Sequence, residues 1–395
     1  MKQKIMILGA SILQLPAIKK AKEMGLDVVV VDMNADAIGF KEKGIEKEVI
    51  STIDVEKVLE SAKKHKINGI LTIASDMPMR TVAIVCDELK LNGISYQTSI
   101  NATDKYQMRL ALKKSNVPIP LFFEVSTFED YCEVIKRFDN CFLTKPADNS
   151  GSRGVFLVTK SEDYDKAFKY SKSFSRNGNI MVEEYMEGPE VSVETISING
   201  ECYVIQITDK ITTKAPYFVE IGHTQPSMLN DDIKKQISDV AIAANKAIGI
   251  KNGPSHTEII ITKNGPKIVE IGARLGGDCI NSHLVPLSTG VDMVEACIRI
   301  ALGEVPNINK TLNKGSAIRY IGQHKGLIVD ISGIENAKRI PGVKEVFLNY
   351  QKGDQVDNIK NSSSRIGFVI SQGSDAVAAA NACEEALKKI RISIV

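Results

Sequence analysis

The sequence predicts an α/β protein whose N-terminal part is built on a parallel β-sheet. Short apolar runs at 4–8, 27–31 and 69–73 are typical of buried strands. Segments with helical periodicity lie between them, at 15–24 and 55–65. Buried strands that alternate with helices indicate a parallel sheet. In such sheets, ligands bind near the carboxyl ends of the strands.

The rest of the chain predicts further α+β structure. A helix over 101–116 ends at a Val-Pro-Ile-Pro segment, whose prolines make a stiff connector. A small unit follows, with strands at 142–145, 154–158 and 179–184 and a helix at 162–175. Strand-rich segments at 190–208 and 256–271 flank a helix at 231–248, and a last helix covers 375–390.

We therefore expect three domains in the 395 residues. Residues 1–95 form the parallel α/β domain. Residues 96–305 form a central domain in two parts, with a mobile lid over about 117–182. Residues 306–395 form a small C-terminal α+β domain.

The composition argues against several kinds of partner. Lys and Arg number 50 and Asp and Glu 48, so the net charge of +2 does not favour nucleic acid as the main partner. Aromatic residues are 6% of the chain and Trp is absent, which is poor for stacking on bases.

The cysteines and apolar runs predict a cytoplasmic protein. Seven cysteines are scattered without a Cys-x-x-Cys pair, which is typical of reduced thiols. The N-terminal apolar run is too short for a secretory signal, and no run approaches the length that spans a membrane. We expect no membrane partner.

A glycine-rich segment follows the predicted strand at 142–145. In Lys145-Pro-Ala-Asp-Asn-Ser-Gly-Ser-Arg-Gly, the glycines let backbone amides approach phosphate oxygens, and Lys145 supplies a positive charge. The spacing is not that of a P-loop. An ordinary hairpin turn is the alternative interpretation.

Acidic residues then cluster near a strand end, in Met181-Val-Glu-Glu-Tyr-Met-Glu-Gly-Pro-Glu190. Carboxylates between apolar residues at such a position are candidates for binding a polar ligand. An acidic surface turn explains the pattern equally well.

The segment 253–274 predicts a β-hairpin that carries a candidate metal site. A three-residue turn over 263–265, with Gly265 in the left-handed conformation, places Glu258 directly opposite Glu270. A two-residue Asn-Gly turn would put them on opposite faces. We expect the three-residue turn, since carboxylates about 5 Å apart then hold a divalent metal such as Mg²⁺. Two exposed glutamates on an edge hairpin are the alternative.

Two further residues flank this hairpin. Arg274 follows a glycine-rich turn and suits a carboxylate or an acyl phosphate. His256 is a core histidine, a ligand contact or a base.

The order of these motifs resembles the ATP-grasp superfamily over nearly the whole chain. A helix carrying Lys105 is followed by Lys-Pro with Ser-Gly-Ser-Arg-Gly, by Glu-Glu-Tyr-Met-Glu-Gly-x-Glu, and by a Glu…Glu hairpin ending in Gly-Ala-Arg. The N-terminal segment is similar to phosphoribosylglycinamide synthetase and biotin carboxylase. Gly-Pro-Ser-His-Thr-Glu-Ile and Glu-Ile-Gly-Ala-Arg-Leu-Gly-Gly-Asp most resemble the L-amino acid ligases.

The resemblance implies ATP as a cofactor and roles for the matched residues. Residues 150–154 are the loop that closes over the phosphates, and 183–186 are the hinge that receives adenine. In the hinge, the Glu183 side chain contacts the exocyclic amine, with backbone contacts from Glu184 and Met186. The ATP-binding set is Lys105, Lys145, Ser150, Gly151, Ser152, Arg153, Gly154, Glu183, Glu184, Tyr185, Met186 and Glu190, with the lysines on phosphates and Glu190 on the ribose.

The resemblance also implies the reaction centre. Glu258 and Glu270 hold Mg²⁺, with Mn²⁺ as an alternative, and Arg274 stabilises an acyl phosphate, with His256 as a second catalytic candidate. Many members have Asn where this chain has Gly272, so a second metal would depend more on Glu270 or would bind more weakly.

The resemblance implies an ATP-dependent ligase that joins a small carboxylate to an amine. Tyr217, His223 and Arg274 would surround the small carboxylate. The segment carrying Tyr217 and His223 is otherwise an ordinary crossing loop. One alternative is a purine-biosynthetic member, phosphoribosylglycinamide synthetase or formate-dependent transformylase, for which Arg319 and Lys325 could bind a ribose phosphate. Another is a non-catalytic nucleotide-binding protein. A homodimer is expected only because superfamily members often form one.

Overall fold

Parallel strands form the N-terminal sheet, as the sequence predicts. The computed structural model describes residues 2–139, 141–149, 151, 153–213, 215, 218–322 and 325–395. The first elements are β1 (Lys4–Leu8), α1 (Leu15–Glu23), β2 (Asp27–Asp32), β3 (Glu46–Val49), α2 (Val55–His65), β4 (Gly69–Leu71) and α3 (Met79–Leu89). The sheet order is β3-β2-β1-β4, and the pairs are parallel.

The single helix predicted over 101–116 is wrong, because two helices occupy this region. α4 (Tyr96–Thr103) and α5 (Lys105–Lys114) meet at Asp104. Asp104 has an extended backbone, and its carboxylate accepts a hydrogen bond from the backbone amide of Gln107, at 3.0 Å. This is an N-cap, which begins a new helix and leaves Lys105 at its first position.

The predicted lid is an antiparallel α+β unit. Its elements are β5 (Phe122–Val125), α6 (Phe128–Val134), β6 (Phe142–Pro146), β7 (Phe156–Val158), α7 (Tyr164–Ser173) and β8 (Ile180–Glu184). The sheet order is β5-β8-β6-β7. Tyr131 packs against Phe142 and Phe168, with ring centroids 6.1 and 5.4 Å away, and gives the unit its own core.

One long antiparallel sheet runs through the remainder of the chain. Its order is β13-β12-β9-β10-β11-β14-β18-β16, and a second small sheet has the order β17-β15-β19. The strands are β9 (Glu190–Ile198), β10 (Glu201–Thr212), β11 (Glu220–Gln225), β12 (Gly253–Thr262), β13 (Gly265–Gly272), β14 (Gly315–Ile321), β15 (Gly326–Ser332), β16 (Val343–Leu348), β17 (Gln355–Val356), β18 (Gly367–Gly373) and β19 (Arg391–Ile394). The helices are α8 (Asp231–Ile248), α9 (Val285–Thr289), α10 (Met293–Ala301), α11 (Ile334–Lys338) and α12 (Ala376–Leu387).

The long sheet contains strands from both sides of residue 305, where we predict the last domain boundary. β11 pairs with β14 in register from Gly222↔Arg319 to Gln225↔Ser316. The domain boundaries therefore stay a sequence-based proposal, while the sheet joins the central and C-terminal parts directly.

A shared apolar core ties the N-terminal sheet to the rest. Ile5 and Val28 of the parallel sheet belong to one buried cluster with Ile298 of α10 and Ile370 of β18. Within the described part of the chain, every helix is too short or too polar to cross a bilayer.

Candidate active site

A cavity of about 590 Å³ lies between the lid sheet and the long sheet. It is within the size range of small-molecule sites. Of the residues that the sequence predicts for ATP and metal, it brings together Lys105, Lys145, Gly151, Arg153, Glu183, Glu184, Tyr185, Met186, Glu190, Glu258 and Glu270. Motifs up to 165 positions apart in the sequence, from Lys105 to Glu270, thus face one space.

Glu258 and Glu270 lie directly opposite each other on β12 and β13, as predicted. The predicted turn is wrong. Thr262 pairs with Gly265, so the loop has two residues, Lys263 and Asn264. An irregularity between Glu258 and Ile259 leaves Val269 as an extra residue in the ladder, and this bulge restores the pairing that the turn alone would shift.

Lysines neutralise both of these carboxylates. Lys210 Nζ is 3.0 Å from Glu258 Oε1, and Lys105 Nζ is 3.1 Å from Glu270 Oε2. Burial disfavours the charged form of Glu258, but Lys210 and His256 outweigh it and hold the pKa of Glu258 well below its ordinary value. Glu258 is therefore available as an anionic ligand.

The donor set fits a hard divalent cation that is completed by other ligands. Glu258 and Glu270 offer paired carboxylate oxygens at the wall of the cavity. Among the described residues, no group of three or more His, Cys, Asp or Glu side chains is placed to hold a metal by itself. Mg²⁺ typically binds through one or two carboxylates, with substrate phosphates and water as the remaining ligands.

Lys145 belongs to a buried ionic cluster with Glu183. Lys145 Nζ is 2.6 Å from Glu183 Oε2, and Arg109 donates to both Glu183 oxygens at 3.0 and 3.1 Å. Leu143 pairs with Glu183 across β6 and β8, so Lys145 lies diagonally opposite on the same face. Burial lowers the pKa of Lys145, and the nearby charges of Arg109 and Lys105 lower it further. Glu183 raises this pKa, but the net shift is downward.

Two aromatic rings, one from the hinge and one from the segment before β11, form a wall of the cavity. Tyr185 and Phe218 both line the cavity, with ring centroids 6.4 Å apart. Glu184 is fixed by Lys267, whose Nζ lies 2.7 and 2.9 Å from its carboxylate oxygens. This end of the cavity suits a flat ring better than a phosphate.

The predicted phosphate loop is described only in part. Gly151 and Arg153 line the cavity, whereas Ser150 and Ser152 lie outside the described residues. Gly154 does not line it. A side chain at Gly154 would meet Phe174 Cβ at 2.8 Å, so this glycine serves close packing under the loop.

His256 lies between two carboxylates. Its Nδ1 is 2.7 Å from Glu194 Oε1, and its Nε2 is 3.4 Å from Glu258 Oε1. Asn281 Nδ2 donates to the other Glu194 oxygen. Burial lowers the pKa of His256, but Glu194 and Glu258 raise it overall to about 9. The imidazole is therefore charged at neutral pH, and it positions Glu258.

Arg274 forms a two-point ion pair with Asp76, a residue of the N-terminal part. Arg274 Nε and Nη2 donate to the Asp76 oxygens at 2.8 and 2.9 Å. A Cβ added at Gly272 would lie 3.1 Å from Asp76 Oδ1 and 3.2 Å from Arg274 Cζ. The glycine at the position where many superfamily members have Asn thus makes room for this pair.

His223 is buried and does not line the cavity. Its Nε2 is 3.1 Å from Asp278 Oδ2. Arg365 of the C-terminal part donates two hydrogen bonds to the same carboxylate, from Nη2 at 2.6 Å and from Nη1 at 2.9 Å. Tyr217, predicted beside it, lies outside the described residues. The structure therefore places His223 in an ionic cluster behind the site.

A second cavity, of about 340 Å³, meets the first at a shared wall formed by Lys105, Asn149 and Glu270. Asp76 and the exposed Arg80 and Arg176 also line it. Its apolar lining includes Ile53, Val55 and Ile84.

Sequence reasoning missed the partners of several predicted residues. Arg109 could have been found, because it lies four residues after Lys105 and shares a helix face with it. Lys210 and Asp76 carry no local signal. Each acts on a residue that is distant in sequence, at Glu258 and Arg274.

Two family models match the chain. Residues 138–282 match the ATP-grasp domain, and residues 320–395 match the L-amino acid ligase C-terminal domain 2. Residues 138–282 are therefore an ATP-grasp domain, and the C-terminal part matches a domain model of the L-amino acid ligases. The resemblance stated from the motifs is confirmed.

Several curated relatives carry the names of ligases. The chain is 28% identical to the L-arginine-specific L-amino acid ligase of Bacillus subtilis over 280 residues, which are 69% of this chain and 67% of that protein. It is 30% identical to the alanine–anticapsin ligase of Bacillus subtilis (strain 168) over 246 residues, which are 56% of this chain and 52% of that protein. The matches span between about half and two thirds of these relatives.

Solved structures share the fold over the whole chain. L-amino acid ligase from Bacillus licheniformis superposes with a TM-score of 0.87 at 22% identity, covering 100% of this chain and 99% of that chain. Phosphoribosylglycinamide synthetase from Anaerococcus prevotii gives 0.81 at 23%, covering 100% of both chains. The biotin carboxylase domain dimer of Hydrogenobacter thermophilus 2-oxoglutarate carboxylase, solved with magnesium ADP, gives 0.78 at 18%, covering 100% and 91%. At these identities the likeness shows the fold alone.

Proposed function

We propose that this chain is an ATP-dependent ligase that activates a small carboxylate as an acyl phosphate and joins it to an amine, with amino-acid-type substrates. The observation that carries the proposal is the meeting of two cavities at Lys105 and Glu270. The larger has the charges and aromatic wall suited to a nucleotide. The smaller opens on the same phosphate-binding edge and has room for a small acid or amine.

The first step uses the cations of the larger cavity. A carboxylate oxygen of the substrate attacks the γ-phosphorus, the new O–P bond forms, and the bond to the β-phosphate oxygen breaks with release of ADP. Lys105 and Lys145 offset the charge of the transferring group. A divalent metal at Glu258 and Glu270, Mg²⁺ or Mn²⁺, would supply further charge neutralisation for the phosphates.

The second step completes the C–N bond. The amine nitrogen attacks the carbonyl carbon, the C–O bond to phosphate breaks, and the amine's proton leaves to solvent or to the departing phosphate. Arg274 is the residue proposed for the anionic intermediate, and Asp76, which lines the smaller cavity, holds its guanidinium in place. Lid residues around both cavities would keep water from hydrolysing the acyl phosphate.

The amine substrate fits the smaller cavity best. Arg80 and Arg176 suit a carboxylate, and Ile53, Val55 and Ile84 suit an apolar side chain. We therefore propose an amino acid as the amine donor. The purine-biosynthetic alternative is less well supported, because the Arg319 guanidinium is already bound to Glu384, His223 O and Thr224 Oγ1.

Purified protein with ATP, Mg²⁺ and a panel of amino acids tests the proposal. We expect ADP and phosphate in equal amounts and a dipeptide detected by mass spectrometry. Glu270→Gln should lower turnover by about 100-fold or more, since it removes a charged group at the transferring phosphate. The exposed Glu162→Gln is the control. ATP that binds without ADP formation from any acid–amine pair would favour the non-catalytic alternative.

We also propose that the protein works in a reducing compartment. All seven cysteines are free in the structure, which supports a reducing compartment such as the cytoplasm. The homodimer stays a prediction, which the elution volume on size-exclusion chromatography would test.

A further inference from the structure

Lys210 stands among three carboxylates on the floor of the larger cavity. Its side chain is only 3% exposed, and its Nζ lies 2.5 Å from Glu190 Oε1, 3.0 Å from Glu258 Oε1 and 3.7 Å from Glu220 Oε1. The three glutamates come from β9, β12 and β11. One ammonium group therefore joins the glutamate predicted for the ribose to a glutamate predicted for the metal.

Carboxylates outnumber lysines around Lys210. Glu190, Glu220, Glu258 and Glu270 all line the cavity. Lys210 and Lys105 are the lysines that contact them. His256 is paired with Glu194. An excess of carboxylate oxygens over ammonium groups favours a divalent cation at this place.

We propose that Lys210 is the resident counter-ion of the metal-binding carboxylates and makes divalent-metal binding conditional on nucleotide. The inference rests on the proposed assignment of Glu258 and Glu270 as metal ligands. Without nucleotide, an ammonium 3.0 Å from Glu258 repels a divalent cation from the same oxygen. A bound triphosphate offers this ammonium other anions, and its charge also attracts the metal.

The shared contact couples two parts of the nucleotide site. Ribose hydroxyls that bind Glu190 take away the ammonium's 2.5 Å partner, which changes how tightly Lys210 holds Glu258. The metal and the ribose thus act on one side chain, so the two parts of the nucleotide site are energetically coupled. A purely structural lysine, which only neutralises buried charge, predicts no such coupling.

Mn²⁺ titration of nucleotide-free protein, followed by the electron paramagnetic resonance signal of free Mn²⁺, tests this. Lys210→Met should bind Mn²⁺ at least about tenfold more tightly than the parent chain, because a positive charge near the ligands is gone. Lys210→Arg keeps the charge and should behave like the parent. Lys20→Met is the matched control, since Lys20 also bridges two carboxylates, Glu23 and Asp292, far from the cavity.

A non-hydrolysable ATP analogue supplies the second measurement. It should tighten Mn²⁺ binding strongly in the parent chain and much less in Lys210→Met. Mn²⁺ that binds the nucleotide-free parent as tightly as the analogue complex would overturn the proposal without any variant. So would a folded Lys210→Met, checked by circular dichroism, that binds Mn²⁺ no tighter than the parent.

These titrations involve no turnover, so they separate the inference from the ligase proposal. Nucleotide-conditional Mn²⁺ binding in a chain that makes no ADP retains the role of Lys210 and rejects the ligase. Dipeptide formation with unchanged Mn²⁺ affinity in Lys210→Met does the reverse. Mn²⁺ binding that survives Glu258→Gln with Glu270→Gln rejects the metal assignment itself.

Discussion

Glu183 lies buried between Arg109 and Lys145, and its two oxygens accept three charge-assisted hydrogen bonds. The family resemblance implies that this side chain contacts the adenine amine. Its oxygens are already held by cations, so its evident contribution is to fix Lys145 at the cavity wall. The adenine contacts proposed for the hinge then rest more on the backbone near Glu184 and Met186.

Glu183→Gln should destabilise the protein by about 3–5 kcal/mol at pH 7, because two buried cations lose their partner. Burial opposes the charge, but Arg109 and Lys145 lower the pKa of Glu183 from 4.5 to about 2. Its stabilisation is fully present above pH 4.5 and is lost as the pH falls through about 2. Urea denaturation at a series of pH values should show the deficit of the variant shrinking across that interval.

The exposed neighbour Glu187→Gln serves as the control and should leave the stability nearly unchanged. A pH-independent deficit in Glu183→Gln would contradict the charge-based account and point to lost packing.

At the scale of elements, the β12–β13 hairpin shows how far sequence reasoning reaches. The pairing of Glu258 with Glu270 was predicted, because strand alternation and the charge of a metal site favour one face. The turn that was meant to produce it is wrong, because a bulge at Val269 offsets a shorter loop. At this bulge Arg109, which lies outside the hairpin, donates a hydrogen bond to Val269 O at 2.7 Å, and the hairpin's own sequence does not reveal that contact.

The same limit explains the residues that were missed. Lys145, Glu190 and Glu270 sit in recognisable motifs, whereas Lys210 and Asp76 are single charged residues whose partners are set by the fold. Their roles follow only when β10 and the loop after β4 are placed against β12 and β13.

Gly272→Ala tests the close approach at the end of β13. The added Cβ would press on Asp76 Oδ1 and on Arg274 Cζ, at 3.1 and 3.2 Å. We expect a loss of about 1–3 kcal/mol in the free energy of unfolding and several-fold slower ADP formation, as the ion pair shifts. Thermal melting and a coupled ADP assay measure the two effects.

Gly277→Ala is the matched control on the same loop, since its Cβ would make only an ordinary contact with Ala74 Cβ at 3.9 Å. Equal losses in both variants would show that the backbone of this loop, and not the Asp76–Arg274 pair, is sensitive.

At the scale of the whole molecule, the Asp76–Arg274 pair joins the N-terminal part to the hairpin that carries the proposed metal ligands. Burial opposes the charge of Asp76, yet Arg274 outweighs it and lowers the pKa of Asp76. The Arg365–Asp278 pair makes the matching connection from the C-terminal part. Ionic contacts therefore reach the region of the site from both ends of the chain.

Asp76→Asn should lower the free energy of unfolding by about 3 kcal/mol, because Arg274 keeps its charge with a weaker partner. ADP formation should fall as well, since Arg274 loses its fixed orientation. Urea denaturation and the ADP assay check both, with the exposed Asp36→Asn as control. Unchanged stability together with unchanged turnover would show that the pair is incidental.

The pairing of β11 with β14 constrains how this chain can be recombined with others. β14 takes its register from β11 over four residue pairs, so a chain cut near residue 305 would leave β11 with a row of unpaired backbone groups. Exposed strand edges of this kind invite aggregation. An exchange of the C-terminal part of this chain should therefore supply a strand that reproduces the pairing of β14 with β11.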